Sequence, residues 1–134
     1  MTADTSVVVA ALSRWHDEHE AATTALEGVS ALPAHALTEA YSVLTRLPGG
    51  LSVDGDAAAR VLAARFPDAP LQLAAADRRT LLATLARAGV SAGATYDGLI
   101  ALEAKAHGRT LLTLDARARE TYRRLGAPSR AVIA

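Results

Sequence analysis

Between two helical segments lies the run Thr110-Leu111-Leu112-Thr113-Leu114, bounded by Gly108 and Asp115. Its length and flanks make it a buried strand, because a strand covered on both faces reads as a near-continuous apolar run. Residues 95–107 form a helix ended by Gly108, with Thr95 as cap, and residues 116–125 form the next one. A buried strand fed and left by helices points to an α/β fold with a parallel sheet.

The rest of the chain fits that pattern. Residues 15–28 read as a helix stopped by Gly28; residues 33–47 as a helix with Pro33 in its first turn, ended by Pro48-Gly49-Gly50; and residues 54–66 as a helix capped by Asp54 or Asp56 and stopped by Pro67. The alternating segment PLQLAA, residues 70–75, reads as a short strand; Asp77 then caps a helix to Ala88, and residues 130–133 supply a last strand. The start has two readings. Residues 4–12 form a strand, or residues 1–3 form a strand stub and a helix begins at residues 7–12.

A chain of 134 residues without internal repeat or linker is expected to be a single domain, residues 1–134. With 51% apolar residues but one Trp, three Tyr and one Phe, its core is expected to be aliphatic. There is no cysteine, which excludes disulfides, thiolate zinc sites and thiol catalysis and leaves oxygen and imidazole as metal donors. No basic segment precedes the apolar run Val7 to Leu12, and no run approaches the roughly 18 residues of a membrane span. The expectation is a cytoplasmic, unexported protein with no membrane partner.

The formal net charge is zero, which argues against binding by bulk positive charge. The distribution is uneven, however: residues 1–56 sum to −6 and residues 57–134 to +6. Arg109, Arg117 and Arg119 lie close in sequence to Asp115 and are candidates for neutralising phosphates, against the plain alternative of a solvated helix face.

Four acids stand at positions where chemistry is possible, and each also has a structural explanation. Asp115 follows the buried strand and can cap the next helix, while strand carboxyl ends in open α/β sheets are also where ligands bind. Asp4 has the same relation to residues 1–3 if those form a strand. Asp97 lies in a first helical turn, where the helix dipole favours an ionised carboxylate. Glu39 sits at the margin of the apolar stripe of Leu37, Ala40, Tyr41, Val43, Leu44 and Leu47, so it is either partly desolvated or snorkelling to solvent.

Four stretches in order, Asp4-Thr5-Ser6-Val7, residues 37–48 around Glu39, Tyr96-Asp97-Gly98-Leu99-Ile100-Ala101 and Leu111-Leu112-Thr113-Leu114-Asp115, carry these acids. Together they resemble the signature stretches of the PIN-domain family in its VapC branch, the toxin ribonucleases of bacterial type II toxin–antitoxin pairs. The resemblance implies a PIN-like α/β domain with a short, mainly parallel sheet flanked by helices. It implies that Asp4, Glu39, Asp97 and Asp115 surround a divalent ion and that the hydroxyls of Ser6 and Thr113 support them. RNA as substrate, a homodimer and a cognate antitoxin covering the acidic site are further implications. The short, partly polar Met1-Thr2-Ala3 departs from the expected first strand.

Clustered carboxylates repel one another and take up protons unless a cation neutralises them, and Mg²⁺ or Mn²⁺ suits an all-oxygen set. Such an ion lowers the pKa of a bound water and stabilises a leaving oxygen at phosphorus. Asp4 and Asp97 are the expected inner ligands, with Glu39 on a second ion or the attacking water and Asp115 acting through water. His16 and His19, or His16 and Glu20, share a helical face at a spacing zinc accepts, but a third ligand and the His-Glu-x-x-His order are missing, so an exposed polar face is expected there. His35 and His107 are isolated. Two alternatives remain: a flavodoxin-like receiver, which needs a lysine at a late strand end where this chain has only Lys105 within a helix, and an inactive PIN-like binding module.

Overall fold

The computed structural model describes residues 1–133. Three short strands, β1 (Thr2–Ala3), β2 (Leu111–Thr113) and β3 (Ser129–Ala131), form a parallel sheet in the order β1-β2-β3. Thr2 and Ala3 pair with Leu111 and Leu112, and Leu111 to Thr113 pair with Ser129 to Ala131. Among the described residues eight α-helices pack around the sheet: α1 (Thr5–Ala11), α2 (His19–Ala25), α3 (Ala34–Thr45), α4 (Gly55–Arg65), α5 (Ala75–Arg79), α6 (Leu81–Arg87), α7 (Thr95–Ala106) and α8 (Ala116–Arg124).

Successive strand residues face opposite ways, and β2 shows the consequence. Leu112 joins a core built with Val7, Val8, Leu26, Leu32, Leu44, Leu62 and Phe66, whereas Leu111 joins one built with Leu85, Ile100, Tyr122 and Leu125. The central strand is thus buried on both faces, as its composition requires. Many core positions are alanine (Ala10, Ala36, Ala40, Ala58, Ala101, Ala104), so helices lie close together. Gly98 belongs to the same design: a Cβ there would come within 2.6 Å of Leu85 Cδ2 and 3.1 Å of Val90 Cγ1.

The chain enters β2 and β3 through similar helix ends. At Gly108 (φ +65°) the Arg109 amide donates to Ala104 O at 3.0 Å, and at Gly126 (φ +67°) the Ala127 amide donates to Tyr122 O at 2.9 Å. Both are left-handed closures that glycine adopts without penalty. They aim the following residues at the sheet.

Several sequence expectations shift. The start follows the strand-stub reading, but α1 begins at Thr5 because Asp4 caps it. Residues 15–28 yield only the short α2, since local bonds such as His16 N to Ser13 O and Glu18 N to His16 Nδ1 turn the chain before it. Residues 70–75 form no strand; Leu71 makes a single bridge beside Pro33, bonding Leu32 O and the Ala34 amide, before α5 starts. The expected helix 77–88 is broken at Thr80 (φ −97°, ψ 3°), and Asp77 lies within the first turn of α5 instead of at its cap. Ala94, not Thr95, precedes α7, and Pro33 is the cap residue of α3.

Pro33 offers no side chain to the free amides at the start of α3. Glu103 of α7 does so from 68 residues away, accepting from the His35 amide at 3.0 Å while only 3% exposed. Burial raises its pKa, and the bond from His35 opposes that rise. Glu103→Ala is therefore expected to lower unfolding free energy by about 2 kcal/mol, the cost of orphaning a buried donor at a helix start. Glu103→Gln, which keeps an acceptor oxygen, should lose less than half as much; urea titration of the two variants makes the comparison.

Candidate functional site

Asp4 and Asp115 stand just beyond the carboxyl ends of the neighbouring strands β1 and β2, and each caps the helix that follows. Asp4 Oδ1 accepts from the amides of Ser6 at 3.1 Å and Val7 at 3.4 Å. Asp115 Oδ1 accepts from those of Arg117 at 2.9 Å and Ala118 at 3.3 Å. Two hydroxyls tie the strand ends together. Ser6 Oγ donates to Asp4 Oδ1 and accepts from the Leu114 amide at 2.9 Å, while Thr113 Oγ1 accepts from the Asp115 amide at 3.0 Å.

The sequence reading missed the fifth member of this group. Tyr122 of α8, fully buried, donates its phenol to Asp4 Oδ2 at 2.7 Å. Burial and the adjacent carboxylate raise the phenol's pKa, so it remains a protonated donor. The only trace in the sequence is that Tyr122 falls on the inward face of α8 with Ala118, Thr121 and Leu125, a pattern that predicts packing and not a partner 118 residues away.

Glu39 projects from the middle of α3 and Asp97 from the first turn of α7. A cavity of about 200 Å³ is lined by all four acids together with Thr5, Ser6, Ile100 and Ala118. Asp4 is 3% exposed, and burial raises its pKa although bonds from Ser6, Thr113, Tyr122 and Val7 pull it down. Asp97 is pushed up to about 6, first by burial and then by the charges of Asp115, Glu39 and Asp4. The dipole of α7, expected to keep Asp97 ionised, is outweighed.

Glu39 is about one-third exposed, and His35 Nε2 lies 3.8 Å from its Oε2. None of Arg109, Arg117 and Arg119 lines the cavity. Arg117 and Arg119 are exposed on α8, Arg119 beside a separate depression with Glu120 and Arg123. Larger, shallower depressions lie elsewhere, one of them beside His16, His19 and Glu20. There the Glu18 amide donates to His16 Nδ1, and His19 Nδ1 is bonded to Ala10 O. Lys105 donates to Leu125 O at 2.9 Å and so ties down the end of α8, away from any receiver-like position.

Among the described residues, no three His, Asp or Glu side chains are drawn together closely enough to hold a metal ion as they stand. The donor chemistry nevertheless fits a hard divalent cation: four carboxylates and no nitrogen or sulfur line the cavity. Burial and the charges of the other three acids oppose ionisation of Asp97, an opposition that a divalent cation would relieve.

A family model described as PIN domain matches residues 1–124. The chain belongs to the PIN-domain family. It is 48% identical over 122 residues to "Ribonuclease VapC40" of Mycobacterium tuberculosis, with 91% of each chain covered. It is 43% identical over 127 residues to "Ribonuclease VapC27" of the same organism, covering 94% of this chain and 92% of the relative. For this PIN-domain protein the parallel sheet with strand-end acids is the architecture expected from its sequence, and no helix among the described residues is long and apolar enough to cross a membrane.

The raised pKa of Asp97 has a signed effect on stability. Because its folded value exceeds its unfolded one, the contribution is fully present below about 3.8 and is lost as pH rises through about 6. Asp97→Asn escapes that loss. In EDTA the variant should melt about 3–5 °C above wild type at pH 7.5, roughly 1 kcal/mol once solvent screening is allowed for. The gain should vanish near pH 4, and thermal melts across that range measure it.

Proposed function

We propose that this protein is a metal-dependent endoribonuclease, the toxin of a type II toxin–antitoxin pair, that cuts RNA phosphodiester bonds at Asp4, Glu39, Asp97 and Asp115. The observation that carries the proposal is the convergence of four carboxylates from four elements on one small cavity. The VapC relatives, named as ribonucleases, favour RNA as the substrate. The retained acids weigh against an inactive binding module.

Asp4, Asp97, Glu39 and Asp115 are the residues that would hold Mg²⁺, or Mn²⁺ in its place. When bound, such an ion lowers the pKa of water and neutralises charge building on the phosphate oxygens. Asp4 is held in a fixed rotamer by Ser6 and Tyr122, so its carboxylate needs no reorganisation to meet a cation. Glu39, longer and less buried than Asp4, would bind a second ion or orient an attacking water. Arg109, Arg117 and Arg119 contact phosphates beyond the cavity in this reading, steering the strand toward a pocket that is otherwise negative. A second copy of the chain and an antitoxin segment that covers the acids complete the proposed assembly, in the cytoplasm.

Asp4→Asn and Asp97→Asn should each lower the rate of RNA cleavage at least about a thousandfold while leaving the circular dichroism spectrum unchanged, because the amide keeps the shape and loses the charge. His16→Ala with His19→Ala should cut like wild type. Equal cleavage by folded Asp97→Asn and wild type in Mg²⁺ would sink the four-acid site. Millimolar Mn²⁺ is expected to raise the melting temperature of wild type but not of Asp4→Asn with Asp97→Asn, since only the wild type binds it in the folded state. An equal shift in both would place the cation elsewhere.

A further inference from the structure

Tyr96 precedes Asp97 in the first turn of α7, and the residue is 57% exposed. One face of that ring is occupied: His35 of α3 stacks on it with centroids 5.0 Å apart and planes 9° from parallel. His35 is itself anchored, its amide bonded to buried Glu103 and its ring edge 3.8 Å from Glu39. A large aromatic ring, flat, fixed from behind and open in front, therefore lies where the two acid-bearing helices meet. Packing alone does not account for it, since an aromatic residue held for the hydrophobic effect would not stay more than half exposed.

We propose that the Tyr96–His35 stack is a platform for one unpaired nucleobase of the strand whose neighbouring phosphate enters the acidic cavity. The inference rests on the ribonuclease reading and adds to it the side chains that seat a base, since only an unpaired, unstacked base can present its face to a protein ring. Every base has a π face, so the platform tolerates different sequences while fixing register. The chemistry divides between two surfaces: carboxylates that need a cation to accept phosphate, and an uncharged ring beside them that accepts a base without one. Holding the base limits sliding of the backbone past the acids, which is a positioning effect on the scissile bond.

The test uses the full chain in Mg²⁺ and a short single-stranded oligoribonucleotide that wild type cuts, with one abasic residue stepped through the positions flanking the cleaved bond. Wild type should show one position where base loss raises KM about tenfold, the contribution of a single stack. Tyr96→Ala should raise KM about tenfold on intact RNA and show no further loss at that position, whereas Tyr96→Phe should behave as wild type. A structural role alone cannot make the protein and substrate changes non-additive. A wild-type KM for Tyr96→Ala, or an abasic penalty that persists in it, overturns the platform and leaves the ribonuclease reading standing. Failure of wild type to cut any RNA overturns both.

Discussion

A carboxylate at Asp4 has almost no contact with solvent, and the arrangement of the strand ends follows from keeping it there. An ionised group cannot be buried unless its oxygens are bonded, so Asp4 requires donors from several directions. They come from its own helix start, from the Ser6 hydroxyl and from Tyr122 across the domain. Tyr122 in turn requires α8 to lie against the sheet, which requires the closure at Gly126 that brings β3 alongside β2. Removing the acid would leave a phenol and a hydroxyl without their partner, so site and fold are not separable at this point.

The other three acids place a different demand on the molecule. Asp97 shows what their proximity costs, its ionisation opposed by burial and by all three neighbours. Natural domains keep such destabilising groups when chemistry needs them and compensate elsewhere. Here the compensation is visible in the two apolar layers on either side of β2 and in helix ends that are closed without strain. Double use of residues also helps: Asp4 and Asp115 stabilise helix starts whether or not they meet a ligand.

Sequence patterns exposed the parts of this design that are local. The buried run at β2, the helix stop at Gly108 and the position of Asp115 beyond a strand end all follow from neighbours in the chain, whereas at Asp4 the sequence leaves two readings open and the strand Thr2–Ala3 decides between them. The failures also have local causes of a kind that periodicity does not register. Residues 70–75 alternate like a strand, yet a strand needs an edge to pair with, and Leu71 finds only a single bridge. Residues 15–18 have helical composition but spend their polar groups on turns. Tyr122 and Glu103 were invisible for a deeper reason: each meets its partner only after folding, and nothing nearby in the chain distinguishes an inward tyrosine that packs from one that donates. The convergence of the four acids was likewise beyond spacing rules and was supplied by family likeness.

The attachment of α3 to α7 has a geometric consequence. Glu103 holds the backbone at His35, and Tyr96 holds the ring of the same residue, so the first turn of α3 is fixed to two points of α7 separated by seven residues. That separation is about 10 Å along the helix axis. The two attachments converge on one residue of α3, so they fix where its first turn sits on α7, and the rest of the helix is held by the packing of Ala36, Ala40 and Leu44. Glu39 lies one turn beyond His35 and Asp97 follows Tyr96 directly, so two of the four acids sit beside this single junction. A change at His35 would therefore be felt at both acids at once, although it touches the backbone of neither.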